Sequence, residues 1–97
     1  MEKEYLILVV EDNPVLLDAV EYILSYAGYR VMTARDGAAA VGIFRKEHPD
    51  LLIINPAVKG AQQSTLYQEL QKSSGAFDVP IIVLPPPRFS GPENFSG

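Results

Sequence analysis

A chain of 97 residues has room for one hydrophobic core and not for two. Its 47% apolar and 21% charged residues mark it as globular, and a net charge of −4 argues against a phosphate-backbone partner, which calls for a basic face. The absence of cysteine excludes disulfides and thiolate metal sites. The apolar runs are too short for a membrane span or a signal peptide, so the expected setting is cytoplasmic, with no membrane contact and no nucleic acid bound by this domain.

The chain alternates between strand and helix signals. Tyr5–Val10 ("YLILVV") is a short apolar run, as expected of a strand buried on both faces. "EDNP" ends it, and Asn13-Pro14 is a helix start: a side-chain acceptor at the cap, then a proline whose missing N–H costs nothing at the first position. Leu16, Val20, Ile23 and Ala27 recur at helical spacing with Asp18, Glu21 and Ser25 opposite, and Gly28 is a natural stop. Tyr29–Ala34 is a second strand, more mixed in polarity and so nearer an edge. Asp36-Gly37 opens a second helix that Pro49 closes.

Leu51–Asn55 ("LLIIN") reads as a third strand buried on both faces. After the loop "PAVKGAQQS", Thr65 and Gln68 have capping-box spacing and predict a short helix to about Ser73. Ile81–Leu84 is a fourth strand, ended by three prolines. His48 is expected to be a solvated loop residue, with no Ser or Cys partner for a triad. No glycine-rich dinucleotide loop is present.

A βαβαβαβ pattern with right-handed crossovers predicts a mostly parallel α/β sheet with helices on both faces. Ligands of such folds bind beyond the carboxyl ends of the strands, where the strand order reverses. Two strands end in polar residues there: the first at Glu11-Asp12, the third at Asn55. In the flavodoxin-like order 2-1-3-4 these three side chains share one crevice.

From Tyr5 to Leu84 the sequence resembles the receiver domain of bacterial two-component response regulators. The likeness rests on "ILVVEDNPVLLDAVEYILSYAGYRVMTARDGAAAV", "HPDLLIIN" and "VPIIVL", in order and without forced gaps. The resemblance implies a CheY-like fold, a signalling rather than an enzymatic role, and a histidine kinase or another regulator as partner. It implies that Glu11 and Asp12 stand where the family's acid pair binds Mg²⁺, with Asn55 and the backbone of Ala57 completing the site. Two readings of the pair stay open: adjacent carboxylates that favour a hard cation, or solvated charges at a helix N-terminus.

The same resemblance puts Asn55 at the phosphoacceptor aspartate. A neutral amide oxygen cannot attack phosphorus to form an acyl phosphate, and the loss of one negative charge weakens any Mg²⁺ site. Other departures accompany it. Val58-Lys59 replace the family's Met-Pro, and the switch hydroxyl after the fourth strand falls on Pro85, which offers neither hydroxyl nor N–H. The expected architecture is therefore a degenerate, shortened receiver over residues 1–84, its fifth strand and last helix missing, followed by a flexible Pro/Gly/Ser-rich tail, 85–97.

In that tail Phe-Ser-Gly occurs at Phe89–Gly91 and again at Phe95–Gly97, either a tethered docking motif or a plain linker. The predicted function is protein contact within two-component signalling, without Asp phosphorylation and with no cofactor required. The apolar flank of the fourth strand is the expected surface for self-association. The alternatives are a conventional receiver phosphorylated elsewhere, for instance at Asp12, and a fragment of a longer response regulator.

Overall fold

The computed structural model describes residues 4–60, 68 and 79–84. Of the predicted helix from Thr65 to Ser73 only Gln68, which is helical, is described; the rest of it, Pro85 and the tail 85–97 lie outside the described residues.

Four strands and two helices alternate through the described part of the chain: β1 (Leu6–Val10), α1 (Pro14–Tyr26), β2 (Arg30–Ala34), α2 (Gly37–Glu47), β3 (Leu51–Ile54) and β4 (Ile81–Val83). They form one parallel sheet, as expected from the crossover rule, in the order β2-β1-β3-β4 that the receiver resemblance implies. Register pairs Val10 with Ala34 on one side and with Ile54 on the other, which brings the carboxyl ends of the three strands level.

β1 is buried along its whole length because it has a strand on each side and a helix on each face. Leu8 and Val10 point into a core with Ala34, Ala40, Phe44, Leu52, Ile54 and Val58. Ile7 and Val9 point the other way, against Leu17 of α1. β3 departs from its expected burial on both faces. Leu52 and Ile54 are fully buried, but Leu51 and Ile53 are only half-buried, since α1 covers their face in part. β4 is barer still, with Ile82 49% and Val83 50% exposed.

α1 starts as the Asn13-Pro14 pair predicts. Asn13 Oδ1 accepts from the amides of Val15 and Leu16, satisfying two of the first-turn donors. The helix ends at Gly28, whose φ of +104° is backbone that a side chain would strain. Its buried face, however, is rotated from the predicted one. Leu17 is buried, with Val20 and Leu24 packed beside it, while Leu16 and Ile23 are exposed. Asp36 caps α2 by accepting from the Ala39 amide. His48 closes that helix in the left-handed region at φ 52° and is exposed.

Candidate functional site

Strand register places Glu11 and Asn55 side by side. The Glu11 amide donates to Ala34 O at 2.9 Å, and the Asn55 amide donates to Val10 O at 2.9 Å, so both ladders extend one residue past their strands. The side chains meet over the ends of β1 and β3, in a crevice of about 480 Å³ lined by Glu11, Asp12, Asn13, Leu16, Asn55, Ala57 and Leu84, among others. All three polar residues singled out in the sequence therefore line one site, and Ala57 lines it with them.

Glu11 is only 1% exposed, and a carboxylate so placed must have its oxygens satisfied. Oε2 accepts from the backbone amides of Asp12 (3.0 Å) and Asn13 (2.9 Å). Oε1 accepts from Asn55 Nδ2 at 3.0 Å. Asn55 Oδ1 in turn accepts from the Ala57 amide at 2.9 Å. These last two bonds fix the carboxamide's orientation: turning it over would set N–H against N–H at Ala57 and oxygen against oxygen at Glu11.

An ionised aspartate in place of Asn55 would face Glu11 with no proton to donate. Two carboxylates 4 Å apart repel by on the order of 4 kcal/mol at an effective dielectric near 20. The amide removes that repulsion and supplies a donor instead.

Asp12 sits at the crevice mouth, exposed. Its carbonyl accepts from the Arg35 guanidinium at 3.2 Å, which brings a cation from the loop between β2 and α2 to the rim. Sequence reasoning gave Arg35 no role. Its only signal was position, directly before the Asp36 cap. Sequence reasoning also missed Asp50, whose Oδ2 accepts from the Leu6 amide at 2.9 Å while its own amide donates to Leu6 O at 2.7 Å, tying the entry of β3 to that of β1.

The loop after β3 is anchored at several points. Val58 is fully buried, and its amide donates to Asn55 O at 3.1 Å. Lys59 O accepts from the Gly37 amide at 2.8 Å, tying the loop to the start of α2. Gly60, at φ +73°, lies so close to Gly37 that an added Cβ would meet its nitrogen at 3.4 Å.

A hard divalent cation needs oxygen ligands. Among the described residues no group of three or more His, Asp or Glu side chains could hold a metal ion. The Glu11 oxygens face three N–H donors, and the Asn55 oxygen faces a fourth. In this arrangement the buried oxygens of Glu11 and Asn55 are satisfied without a cation, and the groups that would hold Mg²⁺ are the exposed Asp12 carboxylate, the remaining lone pairs of Glu11 and Asn55, and the backbone carbonyl of Ala57.

A parallel sheet of this order, with an acid pair and a third-strand terminus meeting in its crevice, defines the signal-receiving domains of two-component systems. The profile of the response regulator receiver domain matches residues 7–85, and the chain belongs to that family. It is 40% identical over 84 residues to the probable transcriptional regulator ycf27 of Porphyridium aerugineum, covering 87% of this chain and 33% of that protein. It is 39% identical over 78 residues to the probable transcriptional regulatory protein TcrX of Mycobacterium tuberculosis, covering 80% of this chain and 32% of that one.

The chain thus spans about a third of the length of these curated relatives. Among solved structures it is similar to the receiver domain of the sensor histidine kinase PA1611 of Pseudomonas aeruginosa, whose active-site cleft holds a magnesium ion. The TM-score is 0.74 at 30% identity, over 84% of this chain and 66% of that one. No helix among the described residues is long and apolar enough to cross a membrane.

Proposed function

We propose that this chain is a degenerate receiver that works in two-component signalling by protein contact, without a phosphoryl group at the third-strand terminus. The observation that carries the reading is the Asn55 carboxamide bonded to Glu11 at the end of β3. An amide there lacks the anionic oxygen that forms an acyl phosphate, while its hydrogen bonds keep the crevice in shape. In this reading the receiver-like unit is cytoplasmic and spans residues 1–84, and Pro85 stands in the sequence where the hydroxyl that would sense a phosphoryl group is expected. No cofactor is required, and no substrate is turned over.

The partners are a histidine kinase or another regulator, and a second copy of the chain. Support for self-association comes from β4, whose outer edge is unpaired among the described residues and whose Ile82 and Val83 are half-exposed. To test the main reading, the chain is mixed with a histidine kinase carrying radiolabelled phosphate. The expected result is a complex detectable by gel filtration with no label on this chain. Label that survives in Asn55→Ala but disappears in Asp12→Ala supports the second reading, in which the exposed Asp12 accepts the phosphoryl group at the crevice mouth.

A further inference from the structure

The crevice raises a question beyond phosphotransfer, namely what neutralises and holds Glu11. A buried carboxylate at the end of a central strand is destabilising unless charge or donors surround it. In this chain no cation is needed for that. Two backbone amides take Oε2, and the Asn55 Nδ2 takes Oε1. The same carboxamide then reaches forward to the Ala57 amide, so one side chain connects the end of β1, the end of β3 and the loop that follows. That loop is also fixed by buried Val58 and by the bond from Gly37 to Lys59 O.

We infer that the Asn55 carboxamide is a built-in replacement for a divalent cation: it clips Glu11 to the loop after β3 and sets the crevice in one geometry that Mg²⁺ neither forms nor alters. An aspartate could not do this. It has no proton for Glu11, and it would add a third carboxylate to Glu11 and Asp12, creating the charge density that attracts a hard cation. A single amide thus decides whether the site depends on metal. This deepens the proposed function, because a receiver with a permanently clipped crevice presents one surface to its partners instead of switching between two.

The test is thermal unfolding of the full chain and of Asn55→Asp, each in EDTA and in millimolar MgCl₂, with Mn²⁺ binding followed by electron paramagnetic resonance. The wild-type melting temperature should be the same in both media, with no saturable Mn²⁺ binding in the low millimolar range. Asn55→Asp should melt lower in EDTA, by roughly 5 °C or more, recover in MgCl₂, and bind Mn²⁺.

A wild-type chain that Mg²⁺ stabilises by several degrees overturns the inference. So does an Asn55→Asp chain that is as stable as wild type in EDTA and indifferent to Mg²⁺. If the aspartate variant fails to fold in EDTA, its folding on addition of MgCl₂ supports the inference, and failure in both media overturns it. None of these outcomes involves a phosphoryl group, so the inference and the proposed function can fail separately.

Discussion

Glu11 depends on its donors more than on its own charge. Replacing Asn55 by alanine leaves Oε1 buried without its side-chain partner, and an unmet hydrogen bond of that kind costs about 1–3 kcal/mol. Urea unfolding of Asn55→Ala should show a loss in that range, and unchanged stability would mean that the clip is ornamental. The identity of these residues was legible in the sequence, since strand ends are where an α/β fold puts its polar groups. The direction of the amide was not. It depends on which N–H or carboxylate lies across the crevice, and only the register of β1 against β3 decides that. Asp50 and Arg35 were illegible for the same reason, as each acts on backbone far along the chain.

Local signals predicted where the elements begin and end. Asn13 satisfies two amides of the first turn of α1, so Asn13→Ala should cost about 1 kcal/mol of stability. His48 closes α2 in a conformation natural to glycine, and His48→Gly should gain about 0.5–1 kcal/mol by relieving it. Denaturant titration checks both, and the two variants should move in opposite directions. The buried side of α1 was less legible. Leu16-Val20-Ile23 and Leu17-Val20-Leu24 both have helical spacing, because the helix is apolar around much of its circumference. Packing against the sheet selected the second set and left Tyr22, Ile23 and Tyr26 outside, the two tyrosine rings stacked with centroids 6.3 Å apart. The half-exposure of Leu51 and Ile53 has a similar origin, since an apolar run says that a strand is central but not how much helix covers it.

At the scale of the whole molecule, alternation of strand and helix with right-handed crossovers sufficed to predict a parallel sheet, while its order, β2-β1-β3-β4, was legible only through the resemblance to receiver domains. The proposed self-association runs through the outer edge of β4, which is unpaired among the described residues. Ile82→Lys places a charge on that edge and should shift the chain toward monomer in light scattering at high concentration, while equal self-association of wild type and variant would point to another surface. The central claim is that the family's fold persists in this chain while acyl phosphate chemistry at its third strand does not. Intact-mass measurement after incubation with acetyl phosphate and MgCl₂ tests it most directly. The account predicts the unmodified mass for this chain under conditions that phosphorylate a receiver with aspartate at that position. A phosphoryl adduct that fragmentation places at Asn55 would contradict it.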